Sequence, residues 1–197
     1  FLIISILLAF LVLKNFNQNI LINTILISSA LYLFFITLRD FFVKKYKNIS
    51  QNISHFGFSL LILSILFNNL FASEIITNLK VGETFENSKT KIVFESVDQK
   101  KEQNYNAIIA NFSISNSNGN EDKLSPELRI YNQPIIATSE ADIKTTLMSD
   151  KFIVINLVQN QDFFNVRYQV KPFMLWIWLS VILISVGGII SFLQKRS

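Results

Sequence analysis

The sequence contains no cysteine, one histidine, five glycines and three prolines in 197 residues. The absence of cysteine excludes disulfide bonds, thiol redox chemistry and thiolate metal sites within this chain. The sequence also shows no glycine-rich phosphate loop, no cluster of metal ligands and no pairing of a nucleophile with a histidine. We therefore predict no catalytic residue in this chain.

The charged residues are unevenly distributed in a chain whose formal net charge is +4. Residues 72–171 carry eleven Lys and Arg against thirteen Asp and Glu, whereas the other residues carry seven basic side chains and Asp40 alone. The basic surplus thus flanks apolar segments, which is the pattern that orients membrane helices rather than the pattern that binds phosphates. This distribution argues against nucleic acid as a partner.

Half of the residues are hydrophobic, and they are concentrated in four segments. Residues 20–38, 53–71 and about 173–193 are each close to the roughly 20 residues that cross a bilayer as a helix, whereas residues 1–13 are too few. Because the sequence starts without methionine or a basic leader, we expect residues 1–13 to be the end of a truncated spanning helix that begins outside it.

Basic residues next to the apolar segments predict the orientation in the membrane. They are Arg39, Lys44, Lys45, Lys47, Lys195 and Arg196. Because basic connections stay on the cytoplasmic side, residues 72–171 are expected outside the cytoplasm, and residues 172–197 form the last helix and a cytoplasmic tail. Trp176 and Trp178 then stand at the outer end of that helix, where interfacial aromatic residues belong.

Residues 72–171 predict a small domain of antiparallel β-strands. The segments with β-branched and aromatic residues in broad alternation are 91–97, 105–115, 151–157 and 163–170. Residues 116–120 contain an Asn-Gly hairpin signal, and residues 160–162 supply a second turn. The predicted fold is an integral membrane α-helical protein with an inserted extracytoplasmic β domain, either a sandwich or a partly open barrel.

His55 is the only histidine, and it opens the third apolar segment. An ionisable side chain at such a position is a functional candidate by default, and neutral imidazole is a good axial ligand for haem iron. On a helix His55 shares a face with Ser59 and Ile62, and the small Gly57 would let a flat macrocycle approach. Ser59 or a backbone carbonyl could orient the second ring nitrogen. The spacing alone nevertheless favours an inert, hydrogen-bonded histidine near the headgroups.

Four groups of residues occur in a recognisable order. They are His55-Phe56-Gly57, then Leu79 to Thr84, then Arg129-Ile130-Tyr131 with Thr138 to Ile143 and Ser149 to Phe152, and finally Val166 to Pro172 with Trp176, Trp178, Gly187 and Gly188. In this order, from about residue 20 to the C-terminus, the chain resembles the C-terminal part of the CcmF family. Members of that family are membrane subunits of the cytochrome c haem lyase in bacteria and some mitochondria.

The resemblance implies that His55 is an axial ligand of a b-type haem. The predicted topology would place this haem in the cytoplasmic half of the membrane, and helical geometry makes Gly57 and Ser59 neighbouring candidates. It implies a haem lyase subunit that helps to deliver haem to apocytochrome c. The implied partners are the membrane, the haem chaperone CcmE, a CcmH-type subunit, apocytochrome c and quinol as electron donor. The implied location is the bacterial inner membrane with the β domain in the periplasm, or alternatively the mitochondrial inner membrane.

Two features of the family have no counterpart in this sequence: a tryptophan-rich extracytoplasmic segment, and a partner histidine on an earlier spanning helix. The site of thioether formation is therefore expected outside this chain. The alternative from a different class is a haem-free, membrane-anchored scaffold domain of an envelope assembly.

The remaining candidates have ordinary structural explanations beside their functional ones. Arg129 and Tyr131 could contact a partner or a haem propionate, but such residues more often solvate a sheet face. Trp176 and Trp178 could line a cleft for haem or apocytochrome, although interfacial anchoring is the preferred interpretation. Gly187 and its neighbour Gly188 are expected to serve close helix packing.

Overall fold

A computed structural model describes residues 1–14, 20–43, 49–116, 121–158 and 162–194, and these form four α-helices and ten β-strands. Contacts divide the chain into a helical unit, residues 1–71 and 172–197, and a β unit, residues 72–171. The predicted fold class, spanning helices with an inserted antiparallel β domain, is confirmed.

The helices are α1 (Leu2–Leu13), α2 (Ile20–Val43), α3 (Ile49–Phe71) and α4 (Met174–Gln194). The last three are long and apolar enough to cross a membrane, and α1 is shorter. Two helix ends differ from the prediction, because α2 continues past residue 38 to Val43 and α3 begins at Ile49 instead of residue 53. Ser50 explains the early start of α3: its hydroxyl is buried and donates to the carbonyl oxygen of Gly187 in α4 at 2.8 Å.

The start of α4 is fixed to the end of α3. The side chain of Asn68 donates a hydrogen bond of 2.5 Å to the carbonyl oxygen of Pro172, and the rings of Phe67 and Phe173 lie 5.5 Å apart. Phe173 has a φ of 61°, a left-handed conformation that is unusual for a bulky residue. Phe173 is the single residue between the end of β10 and the start of α4.

Several sequence-based predictions fall outside the described residues. They concern Lys44, Lys45, Lys47, the Asn118-Gly119 hairpin signal, the turn residues Asn160 and Gln161, and the basic pair Lys195 and Arg196.

The strands are β1 (Ser73–Leu79), β2 (Thr84–Glu86), β3 (Thr90–Lys101), β4 (Tyr105–Asn116), β5 (Glu121–Leu124), β6 (Glu127–Asn132), β7 (Ile135–Glu140), β8 (Asp142–Thr145), β9 (Ser149–Leu157) and β10 (Phe164–Pro172). One sheet has the order β1-β10-β9-β8, and the other has the order β2-β3-β4-β6-β7 with β5 on β4. The four strands predicted from the sequence correspond to β3, β4, β9 and β10. Two separate sheets make the unit a sandwich rather than a barrel.

The core of the sandwich lies between the two sheets. Alternate residues of β4, namely Ala110, Phe112 and Ile114, are buried, as the period of a strand requires. The rings of Phe94 in β3 and Phe112 stack at 4.5 Å. From the other sheet, β9 and β10 bury residues in the same cluster, Tyr168 among them.

A buried ion cluster links the two sheets. Asp122 of β5 is 7% exposed, and its two carboxylate oxygens accept from the ammonium groups of Lys144 in β8 and Lys151 in β9, each at 2.6 Å. Burial of this carboxylate acts to raise its pKa, but the hydrogen bonds from the two lysines outweigh burial, and the pKa of Asp122 is lowered. The cluster therefore holds a charged carboxylate inside the sandwich.

Candidate functional site

His55 is the seventh residue of α3, so it lies about 9 Å along the axis from the first residue of the helix. Because α3 begins at Ile49, His55 stands almost two turns inside a helix that is long enough to cross a membrane. The surroundings of His55 follow from how α3 packs: one face contacts α2, a second contacts α4, and a third is exposed.

The face towards α2 carries Phe56 and Ser59. The ring of Phe56 lies 5.6 Å from that of Phe34 and 5.8 Å from that of Phe41. The hydroxyl of Ser59, which is fully buried, lies 2.7 Å from the hydroxyl of Thr37 and donates to the carbonyl oxygen of Phe56 at 2.8 Å. This face is a packed helix interface with its hydroxyl groups satisfied.

The face towards α4 is built from small residues. A Cβ atom added to Gly57 would lie 2.9 Å from the Cβ of Leu183 and 3.0 Å from the carbonyl oxygen of Ser180. A Cβ atom added to Gly187 would lie 2.8 Å from the carbonyl oxygen of Ser50. Gly57 and Gly187 thus allow the two helix backbones to approach closely, which confirms the packing interpretation for Gly187. The same interpretation is wrong for Gly188, where an added Cβ atom would meet nothing within 4 Å in the described residues.

The third face of α3 is exposed within the chain. It carries Gln51, His55, Phe58, Ile65 and Asn69, which recur at helical spacing and are all exposed. We call these five residues the open face of α3. Its middle is apolar, because Phe58 and Ile65 are 54% and 49% exposed. Within the described part of the chain, the imidazole of His55 has no hydrogen-bond partner.

The structure thus separates the three residues that the sequence analysis placed together. His55 is exposed, whereas Gly57 is committed to the packing of α4 and Ser59 to that of α2. Both contacts favour packing roles for Gly57 and Ser59. For this reason the candidate site reduces to His55 and the apolar surface beside it.

The other candidate residues lie in separate places. In the β unit, the guanidinium of Arg129 pairs with Glu127 at 2.8 Å and stacks 5.1 Å from the ring of Tyr105, which also contacts Tyr131. The hydrogen bond from Arg129 to Glu127 raises the pKa of Arg129. These contacts match the solvated sheet face expected from the sequence. In α4, Trp178 is 63% exposed.

The described residues contain no group of three or more His, Asp or Glu side chains that could hold a metal ion. A single exposed imidazole on an apolar helix face can instead supply one axial ligand to the iron of a flat, apolar macrocycle, which brings four ligands of its own.

Comparison with known proteins agrees with this architecture. Residues 70–172 match the family model described as the CcmF C-terminal beta-sandwich. The chain is 26% identical over 144 residues to the cytochrome c-type biogenesis protein CcmF of Haemophilus influenzae, covering 73% of this chain and 22% of that protein. It is 33% identical over 123 residues to the cytochrome c-type biogenesis protein ccl1 of Rhodobacter capsulatus, covering 62% of this chain and 19% of that protein.

A solved structure of the cytochrome c haem lyase CcmF has the same fold. It superposes with a TM-score of 0.66 over 95% of this chain and 33% of the solved chain, at 17% identity. The chain spans about a fifth of the length of the curated relatives it matches.

The fold is that of a multi-pass membrane protein that carries a β-sandwich between two spanning helices. Because the family model matches more than half of the sequence, the chain belongs to the CcmF family.

Proposed function

We propose that this chain is the C-terminal portion of a haem lyase subunit for cytochrome c maturation, in which His55 is an axial ligand of a b-type haem. The subunit helps to deliver haem to apocytochrome c. It lies in the bacterial inner membrane, with the β-sandwich in the periplasm, because the basic residues beside α2, α3 and α4 favour the cytoplasmic side. The names of the relatives, which refer to cytochrome c biogenesis and to haem lyase, support this assignment.

The observation that carries the proposal is the placement of His55. His55 is exposed within this chain on a helix long enough to cross a membrane, and a polar imidazole at such a position needs a partner. Coordination of an iron atom meets that need, because the ring nitrogen then has a strong partner.

The neighbours of His55 suit a porphyrin. The open face of α3 offers the apolar side chains of Phe58 and Ile65, with Ile62 half-buried between them. Porphyrin faces are apolar, so this surface would bury hydrophobic area when the macrocycle binds. His55 is the only histidine of the chain, so a second histidine ligand would come from another part of the assembly.

A b-type haem bound there would supply one-electron redox chemistry. The role of this chain is to hold the iron on a rigid element, since α3 packs closely against α4 at Gly57. The position of His55 near the start of α3 favours electron transfer over thioether formation, with quinol as donor and the incoming haem iron as acceptor. CcmE, a CcmH-type subunit and apocytochrome c are the proposed partners.

The test is the reduced-minus-oxidised absorption spectrum of the full-length membrane protein, recorded for the parent and for His55→Ala. The parent should show a b-type signal that is lost or strongly weakened in His55→Ala. Ser59→Ala is the matched control, because Ser59 is one helical turn away but faces α2. It should keep the signal.

An unchanged spectrum in His55→Ala would remove His55 from the site. A parent without haem, purified after expression with ample haem, would favour the haem-free scaffold instead.

A further inference from the structure

The hairpin between β8 and β9 presents two large apolar side chains at its tip. Leu147 and Met148 are 59% and 58% exposed. Turn positions normally carry Gly, Asn, Asp, Ser or Pro, each of which serves the turn itself. Leucine and methionine are not among these turn-forming residues, and here two of their side chains lie exposed side by side at the tip of a hairpin.

The backbone polar groups of this turn form hydrogen bonds between its first and last residues. The amide of Thr146 donates to the carbonyl oxygen of Ser149 at 2.9 Å. The Thr146 hydroxyl donates to the same carbonyl at 2.7 Å and accepts from the amide of Ser149 at 3.1 Å. A turn closed in this way can enter an apolar medium with less cost, because fewer backbone groups lose hydrogen bonds to water.

The strand pairing shows at which end of its sheet the β8–β9 turn lies. Strands β9 and β10 are hydrogen-bonded neighbours joined by a short connection, so the start of β9 lies beside the end of β10. Strand β1 pairs with β10 in the register Ser73 to Val170. The start of β1, the end of β10 and the β8–β9 turn therefore share one end of the sheet.

At this end the chain continues into spanning helices. Helix α3 ends at Phe71, two residues before β1 begins, and α4 begins at Met174, two residues after β10 ends. The headgroup layer on each side of a bilayer is about 5–8 Å thick. Two extended residues span about 7 Å, so the start of β1 and the end of β10 lie within about that distance of the ends of α3 and α4 along the chain.

We propose that Leu147 and Met148 insert into the lipid headgroup region and give the β-sandwich a second membrane contact besides its covalent links to α3 and α4. The occupant of this surface is the bilayer, because the exposed pair lies at the end of the sheet that is continuous with the spanning helices. The contact does not involve haem and does not depend on the function proposed for His55.

The opposite end of the sandwich provides controls. Ser139 of β7 donates to Asn156 of β9, and Asp142 of β8 pairs with Ile153, so β7 and β8 run alongside β9 in one direction. Ile135, the first residue of β7, thus lies at the far end and is 85% exposed. Ile135 is as apolar as Leu147. A label at this position therefore shows whether any exposed apolar site contacts lipid, whatever its place in the sandwich.

The experiment uses the 197-residue chain, in which a single introduced cysteine can be labelled selectively because these residues contain no other cysteine. Leu147→Cys, Met148→Cys and the control Ile135→Cys are labelled with a polarity-sensitive fluorophore. Each protein is placed in nanodiscs of phosphatidylethanolamine and phosphatidylglycerol, with or without brominated acyl chains. All three positions are exposed, so substitution should leave the sandwich folded, and each tip position repeats the test of the other.

We expect the emission at both tip positions to shift to shorter wavelength and to be quenched by brominated lipid, with little quenching by aqueous iodide. The label at Ile135→Cys should show the reverse. The proposal is overturned if the labels at Leu147→Cys and Met148→Cys behave like the control label, with fluorescence that is quenched by iodide and not by brominated lipid. If neither iodide nor brominated lipid quenches the two tip labels, the proposal is also overturned, because the tip would then be covered by another copy of the protein.

Discussion

Replacing Asp122 with asparagine tests the ion cluster that links the two sheets of the sandwich. The asparagine side chain would keep the shape of the aspartate and one oxygen acceptor but would remove the charge that faces Lys144 and Lys151. The side chain of Lys151 is only 15% exposed, so its ammonium would lose its counter-charge where water hydrates it poorly. Lys144 is 46% exposed and can recover hydration.

The expected loss of folding stability follows from the different exposure of the two lysine side chains. Breaking a buried ion pair costs about 3–5 kcal/mol because the remaining charge is uncompensated. A half-exposed pair such as that with Lys144 adds no more than about 1 kcal/mol, and the retained acceptor of asparagine offsets part of the total. We therefore expect Asp122→Asn to lower the free energy of unfolding of the sandwich by about 3 kcal/mol.

Hydrogen exchange of the full chain, followed by mass spectrometry, measures this loss locally. Protection of peptides from β5, β8 and β9 should fall by roughly a hundredfold, since each tenfold change corresponds to about 1.4 kcal/mol. Glu86→Gln is the matched control, because Glu86 pairs with Lys91 at 3.6 Å with both side chains largely exposed. This variant should change the free energy derived from the protection factors by less than about 1 kcal/mol. Equal effects of the two variants would refute the reasoning.

The same cluster predicts a dependence on pH. Because the pKa of Asp122 is lower in the folded state than in the unfolded chain, its stabilisation is complete above the unfolded value of about 4. The stabilisation is lost as the pH falls through the lowered folded value. The parent should therefore lose protection in acid, and Asp122→Asn should lose less over the same range. An identical acid response of both proteins would show that Asp122 does not contribute.

Three further predictions concern helix packing and the burial of Tyr168. Gly57→Ala should destabilise the helical unit by about 1–3 kcal/mol, because the new Cβ atom would lie 2.9 Å from the Cβ of Leu183 and the helices must separate. Gly188→Ala, whose Cβ would meet nothing within 4 Å, should keep or slightly raise the thermal unfolding temperature in the same detergent, because alanine favours a helix over glycine. Equal effects of the two variants would contradict the packing. Tyr168→Phe should cost less than about 1 kcal/mol, because the buried phenol hydroxyl has no hydrogen-bond partner in the described residues. In a spectrophotometric titration of the parent, burial and the nearby charge of Asp122 should raise the pKa of Tyr168 to about 12, and ionisation near the usual value would contradict that burial.

The strands that were predicted from the sequence are the long ones with clear alternation. Strands β3 and β4 each have 12 residues, and local pattern was sufficient for them. Strand β5 has four residues and buries Asp122, which reverses the usual expectation for a charged side chain. The lysines that compensate this charge come from strands 22 and 29 residues away, so no local pattern could predict it.

The membrane segments show the same limit at their ends. The polar residues around Ser50 resemble a connection between helices, and for that reason the sequence placed the start of the third helix at residue 53. In the structure the hydroxyl of Ser50 bonds to Gly187, 137 residues along the chain, and the helix extends back to Ile49. A polar residue at the end of an apolar run is ambiguous until its partner is known.

The candidate site was predicted only in part. The sequence predicts that His55 lies on a spanning helix, and helical spacing groups it with Ser59. The spacing cannot show which faces of α3 are covered by α2 and α4. Since Ser59 and Gly57 contact those two helices, the exposure of His55 emerges only from the packing of all three.

The proposal that His55 binds haem iron is tested most directly by imidazole rescue of His55→Gly in the full-length membrane protein. The variant should lack the b-type signal of the reduced protein, and added imidazole should restore it by occupying the position of the missing side chain. A full b-type signal in His55→Gly without imidazole would contradict the account.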